Sequence, residues 1–228
     1  KLYRPTDAYE QSRVTRLEHV NTTIVEKPQE GIAAVADRIA KLINRRDENG
    51  QKTVLSLASG RSMRDLFVEL VRLHKEEGLS FKNVVVFGSY EFYPLADKNI
   101  GSMAQIQSQL LDHIDILPEN VHTFPGDLPK ETIFTFCEEY EKAIVEAGGI
   151  DIQVLGIGQC GNIAMNEPGT QPNSSTRLVI MDSNSRVDAK SLFGNVAQVP
   201  TCAITLGVET ILQAKEVILL AFGQHKAS

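Results

Sequence analysis

Four short segments hold side chains fit for chemistry. The first is Ala58-Ser59-Gly60-Arg61-Ser62, which follows an apolar run at residues 53–57. Gly60 permits a turn with positive φ, and Ser62 has the side chain of a helix N-cap. Backbone N–H groups at a helix start attract anions, and Ser59, Arg61 and Ser62 add side-chain donors. An ordinary strand-to-helix turn with a serine cap explains the same residues equally well, and the segment is neither a Walker loop nor a GxGxxG fingerprint. The second is Gly88-Ser89-Tyr90-Glu91-Phe92-Tyr93-Pro94-Leu95. Glu91 stands past a strand end among aromatic rings, a setting that raises a carboxyl pKa and suits an acid or base. A solvated loop glutamate is the plainer explanation. The third runs from Leu155 to Gly169, where Gly156, Gly158 and Gly161 imply tight turns and Asn162, Asn166 and Glu167 cluster. Cys160 has no nearby histidine in sequence to activate it, which favours a structural thiol. The fourth is Gly223-Gln224-His225-Lys226-Ala227. Lys226 is placed to reach an anion at a sheet edge, a surface lysine being the plainer reading.

These segments need a scaffold. Ile32, Val35, Ala36, Ile39, Leu42 and Ile43 recur at helical spacing and predict an amphipathic helix over about residues 29–46. Leu66, Phe67, Leu70, Val71 and Leu73 mark another, stopped by Gly78. Further helices are expected near 102–112, 130–147 and 208–214. Strands are expected near 53–57, 84–87, 121–124, 151–155, 177–181, 201–206 and 217–222, with a Tyr-, Pro- and Asp-rich loop after residue 87. The alternation predicts βαβ units: an α/β fold with a mostly parallel sheet and helices on both faces. Its strands read as continuous apolar runs, as in sheets covered on both sides. Ligands of such sheets lie outside the carboxyl ends of the strands, which selects the loops after residues 57, 87 and 155. Residues 1–28 read as a polar arm and residues 29–228 as one domain.

Composition narrows the class. The chain has 228 residues, 42% hydrophobic and 23% charged, which excludes disordered and collagen-like chains. With 23 Lys and Arg against 29 Asp and Glu the net charge is −6, unfavourable for nucleic acid or an anionic membrane as partner. Cys137, Cys160 and Cys202 have no CxxC spacing and read as free thiols of a cytoplasmic protein. The five histidines lack ligand spacing, so no metal is expected. The apolar run at 217–222 is far short of the about 20 residues a membrane span needs. The start shows no signal peptide, and Lys1 together with the stop soon after the last strand reads as part of a longer parent chain.

Taken in order, the segments resemble the glucosamine-6-phosphate deaminase/isomerase family over roughly residues 30–228. The most specific wording is Gly156-Ile157-Gly158, Gly161, Ile163-Ala164 and Asn166-Glu167-Pro168-Gly169, supported by residues 80–85, 112–116, 205–208 and 223–227. Glu91-Phe92-Tyr93-Pro94-Leu95 and Thr176-Arg177-Leu178 look most similar to a subgroup in which this domain precedes a deacetylase-like one. The resemblance implies a Rossmann-like sugar-phosphate isomerase fold. It implies conversion of glucosamine 6-phosphate and water to fructose 6-phosphate and ammonia, without metal or organic cofactor. It implies that Ser59, Gly60, Ser62 and Lys226 hold the phosphate and that Glu91 and Glu167 are active-site acids.

The same resemblance exposes departures. The family's proton-abstracting Asp falls at Tyr90, and its ring-opening His falls at Asn162. Many members have Asp at the position of Cys160 and Gly at that of Arg61, and a family Arg near Ser191 is not evident, although Lys190 is adjacent. Asn does not titrate near neutral pH. Each acid–base group is worth roughly 10²–10⁴ in rate. Phosphate hydrogen bonds are worth about 1.5–3 kcal/mol each, and Arg61 is able to supply a bidentate grip. The expectation is therefore a domain that binds a small hexosamine phosphate with impaired deaminase activity. Two other readings stand beside it: a working deaminase or isomerase using Glu91 or Glu167, and a regulatory or assembly module that binds no sugar phosphate. Lactonases of sugar phosphates share the fold. The subunit number stays open, since family members range from monomers to hexamers.

Overall fold

A computed structural model describes residues 7–16 and 20–223, so Lys226 lies outside the described residues. The chain alternates strands and helices. α1 (Ala8–Thr15) is capped by Asp7, whose carboxylate accepts the Glu10 N–H, so part of the expected arm is helical. α2 spans Pro28–Glu48 and opens on a proline, whose missing N–H costs nothing in a first turn. Then come β1 (Thr53–Leu57), α3 (Arg61–Glu77) and β2 (Val84–Gly88). Gly78 closes α3 at φ +75, as expected. β3 (Tyr90–Tyr93) and α4 (Ser102–Gln109) follow, then β4 (Val121–His122) and α5 (Ile133–Glu146). The last third holds β5 (Ile152–Gly156), β6 (Arg177–Ile180), α6 (Ser183–Phe193), β7 (Cys202–Thr205), α7 (Val208–Leu212) and β8 (Glu216–Leu220).

Five strands form a parallel sheet in the order β4-β2-β1-β5-β8. β1 is central, with Leu55 paired to Val86 on one side and Ile152 on the other. Helices cover both faces. On one, Ile39 and Ile43 of α2 and Leu66, Phe67 and Leu70 of α3 pack on Leu55, Leu57, Val86 and Val154. On the other, Cys137, Tyr140 and Ile144 of α5 and Ile211 of α7 pack on Val54, Val85 and Leu155. The expected mostly parallel α/β architecture is present.

Several expectations need correction. Residues 90–93 are a strand, not a loop. β3 joins β7 and β6 in a second sheet, antiparallel and ordered β3-β7-β6, so residues 177–180 and 202–205 stand outside the parallel sheet. β6 alternates in burial, with Ile180 81% exposed, whereas β1 and β2 are buried throughout. The expected helix near 102–112 ends at Gln109 and passes into a 3₁₀ turn at Leu111–His113. The strand near 121–124 is only two residues long, and the helix near 130–147 begins with a 3₁₀ turn at Lys130–Thr132. α6 was not foreseen; its first turn is capped by Asp182, which accepts the Asn184 N–H.

The two sheets meet at Ser89, which is fully buried. Its N–H donates to Leu57 O at 3.0 Å, and its carbonyl accepts the Leu206 N–H at 2.9 Å. Its Oγ lies 3.2 Å from Ser56 Oγ and accepts from Gln153 Nε2 at 3.0 Å.

At the opposite edge of the parallel sheet, Asp151 accepts the Val54 N–H at 2.8 Å, Lys215 Nζ at 2.7 Å and the Arg46 guanidinium. The carboxylate is buried, and it ties the end of α2 to the starts of β1 and β8. Asp151→Ala leaves the Val54 N–H buried without a partner, which costs about 1–3 kcal/mol. The expected outcome is a lower urea midpoint at unchanged m-value. An unchanged midpoint would mean that water replaces the carboxylate without loss.

Candidate functional site

A cavity of about 600 Å³ opens at the carboxyl ends of β1 and β5, where the chain also crosses from β2 into β3. It is the edge at which open α/β sheets place ligands. Ser59, Gly60, Arg61 and Ser62 line it together with Tyr90 and Asn162. Those residues come from segments about 30 to 100 positions apart. Glu91 and Glu167 are not among its lining residues.

Gly60, rather than Ser62, is the N-cap of α3. Its φ is +131, a region closed to residues with a β-carbon, and its carbonyl accepts the Arg64 N–H at 3.0 Å. No atom lies within 4 Å of where a Cβ would stand, so the requirement for glycine is conformational. Among the described residues no side chain caps the first turn. Its free N–H groups and the helix dipole are the kind of feature that favours an anion. Arg61 lines the cavity from an exposed position, and Ser59 is 8% exposed.

Tyr90 and Glu91 leave β3 on opposite sides, as consecutive strand residues must. The Tyr90 hydroxyl lies 2.8 Å from Ser59 Oγ. Burial pushes its pKa up from 10.0; the Ser59 hydrogen bond opposes this and the Glu91 charge adds to it. The group at the cavity wall is thus a neutral phenol at physiological pH. Glu91 is 2% exposed and caps α4 from a distance in sequence. Its Oε1 accepts the Phe92 N–H at 2.8 Å and the Ser102 N–H at 2.9 Å, and Oε2 accepts the Met103 N–H at 2.8 Å.

The loop after β5 is held by its own amides. Asn162 Nδ2 donates to Ala164 O at 3.3 Å, and the Gly158 N–H donates to Asn162 O at 2.8 Å. A Cβ on Gly158 would fall 1.8 Å from Asn162 Oδ1, so any larger residue there would displace the Asn162 side chain. Ala164 is left-handed at φ 48, a strained conformation in the cavity wall. Asn166 is buried and donates to Leu206 O at 2.8 Å. Glu167 Oε1 accepts from Ser185 Oγ at 2.6 Å and from the Asp182 N–H at 3.3 Å. Cys160 is exposed.

α6 supplies a wall that the motifs did not announce: Ser185, Asp188 and Ser191 line the cavity. The one sequence signal for this helix is its Asp182 cap. Gln105 of α4 and Gln29 of α2 also reach the cavity. Among the described residues, no three His, Cys, Asp or Glu side chains group so as to hold a metal ion. Among the described residues, no helix is long and apolar enough to cross a membrane.

Burial raises the Glu91 pKa above its ordinary 4.5, against the pull of its three N–H partners. A carboxyl that binds its proton more tightly when folded stabilises the fold fully below its ordinary pKa. That contribution is lost as pH rises through the raised value. Glu91→Gln does not ionise, so its stability is expected to fall less than that of the parent chain above pH 4.5. Urea unfolding at mildly acidic and mildly alkaline pH measures both slopes; equal slopes would acquit Glu91.

Comparisons with known proteins agree with this fold. The family model for glucosamine-6-phosphate isomerases/6-phosphogluconolactonase matches residues 26–228. A glucosamine-6-phosphate deaminase-like protein of Bacteroides thetaiotaomicron is 48% identical over 229 residues, covering 100% of this chain but only 34% of its own length. The chain thus spans about a third of that relative. The glucosamine-6-phosphate deaminase of Bacillus pumilus is 40% identical over 193 residues, covering 82% of this chain and 78% of the relative. The solved structure of a monomeric glucosamine-6-phosphate deaminase matches with a TM-score of 0.85 at 30% identity, over 91% of this chain and 84% of that one. The 6-phosphogluconolactonase of Thermotoga maritima shares the fold with a TM-score of 0.63 at 22% identity, over 86% and 82% of the two chains. Sequence, fold and cavity lead to one conclusion: the chain belongs to the glucosamine-6-phosphate isomerase/6-phosphogluconolactonase family.

Proposed function

We propose that the domain at residues 29–228 binds a hexosamine phosphate in this cavity and that its deaminase chemistry is impaired. The phosphate rests on the first turn of α3, with Ser59, Ser62 and Arg61 as side-chain donors and Lys226 as a further ligand. Residues 1–28 act as an arm. The 34% coverage of the Bacteroides relative supports a longer parent chain, in which a deacetylase-like domain follows. The free cysteines support a reducing, cytoplasmic setting.

One observation carries the reading. The two positions where the family resemblance requires groups that move protons hold a phenol bonded to Ser59 and an amide bonded within its own loop. Aldose–ketose isomerisation needs a base for the C2 proton near neutral pH. A phenol whose pKa is raised by burial is a poor base there, and Asn162 has no proton to exchange. The phosphate site makes no such demand. It is built chiefly from main-chain N–H groups, to which Arg61 adds a planar fork of donors.

A second reading, an active deaminase with Glu167 as its base, has one observation in its favour. Glu167 Oε2 is buried without a hydrogen-bond partner among the described residues, one hydrogen bond behind Ser185 of the cavity wall.

The deciding experiment follows ammonia release from glucosamine 6-phosphate, with fructose 6-phosphate as the second product. The expected result is very slow turnover that Tyr90→Asp combined with Asn162→His raises by about 100-fold or more. Rapid turnover by the unaltered chain would overturn impairment. Its loss in Glu167→Gln would then establish the second reading.

A further inference from the structure

The cavity has two helical walls of different make-up. One is α3, which offers the N–H groups of its first turn and the Arg61 guanidinium as donors, with the Asp65 carboxylate one turn further on. The other is α6, where Ser185 and Asp188 stand three residues apart on one helical face and both line the cavity. Asp188 adds a carboxylate, an acceptor.

Ser185 looks neutral in this respect, since a serine hydroxyl both donates and accepts. Its setting removes the choice. The residue is 7% exposed, and Oγ donates its single hydrogen to Glu167 Oε1 at 2.6 Å. Only its lone pairs remain for the cavity. The same Glu167 oxygen accepts the N–H of Asp182, the N-cap of α6. Glu167 therefore fixes both the direction of the hydroxyl and the position of the first turn that carries it.

Building on the sugar-phosphate reading of the cavity, we propose that Ser185 is a binding residue that accepts a hydrogen bond from the non-phosphate end of the ligand, with Glu167 as its positioning residue. The ligand class is set by the two walls: a phosphate at one end, and hydroxyl or ammonium donors at the other. A bare anion uses the phosphate end alone.

Calorimetric titration separates the walls, with glucosamine 6-phosphate and inorganic phosphate as the two probes. Ser185→Ala is expected to weaken glucosamine 6-phosphate about tenfold while phosphate affinity stays within about twofold. Ser185→Thr keeps the hydroxyl and is expected to restore the sugar phosphate. Glu167→Gln replaces an acceptor oxygen by an amide able to donate to Ser185, and is expected to reproduce the selective loss. An unchanged sugar-phosphate affinity in Ser185→Ala overturns the proposal while leaving the sugar-phosphate reading intact. A parallel loss of both probes, unrescued by threonine, also overturns it, because it marks a purely structural role. If the unaltered chain binds neither probe, the reading of the cavity itself fails and the proposal with it.

Discussion

A buried backbone polar group must find a partner, and at Ser89 a single residue meets this demand for two sheets at once. Its N–H extends the parallel ladder beside β1, and its carbonyl receives the chain leaving β7. The next residue is therefore delivered to the cavity and the one after it is turned away. Tyr90 reaches Ser59 beside the α3 turn, and Glu91 reaches the start of α4. The wall of the site and the anchoring of a neighbouring helix are thus two consequences of one crossing. The buried contacts of Ser89 Oγ with Ser56 and Gln153 hold that crossing from below.

Much of the scaffold was legible in the residues. β1, β2 and β5 are short apolar runs, and α2 and α3 carry apolar positions at helical spacing, so their periods identify them. β3 was not legible, because Tyr90-Glu91-Phe92-Tyr93 lies between a glycine–serine pair and a proline, the composition of a loop. Only pairing with β7 makes it a strand, and that partner stands more than 100 residues away. α6 was hidden by its weak apolar pattern. The third core cluster holds it through Phe193 and partly buried Ala189 and Leu192, packed against Phe92 and Met181. The cap of α3 was misplaced by two residues because Gly and Ser both serve as N-caps, and the choice depends on a φ of +131 that composition does not reveal. At the site, the glycine loops that line the cavity were readable from local chemistry. The burial of Glu91 was not, since its three N–H partners include two on a helix that begins eleven residues later.

In the proposed reading, binding and catalysis draw on different parts of this molecule. Proton transfer needs side chains of particular pKa at particular atoms, and single substitutions remove it. An anion site at a helix start needs a backbone conformation, which many sequences can provide. The 6-phosphogluconolactonase of Thermotoga maritima shares this fold at low identity, and a shared fold does not by itself fix the chemistry. Within such a family, a phosphate cradle is able to outlast the chemistry once performed above it.

The uncapped first turn of α3 bears on how this site looks to mutagenesis. A main-chain N–H has no codon of its own, and replacing Ser62 or Met63 by alanine leaves the N–H in place. Scanning substitution across this turn therefore passes over most of the cradle. Gly60 is the exception, because its left-handed φ gives the backbone a residue identity on which selection can act. At this turn an intolerant Gly60 would report the backbone conformation, whereas intolerance at Met63, which is fully buried, would report core packing.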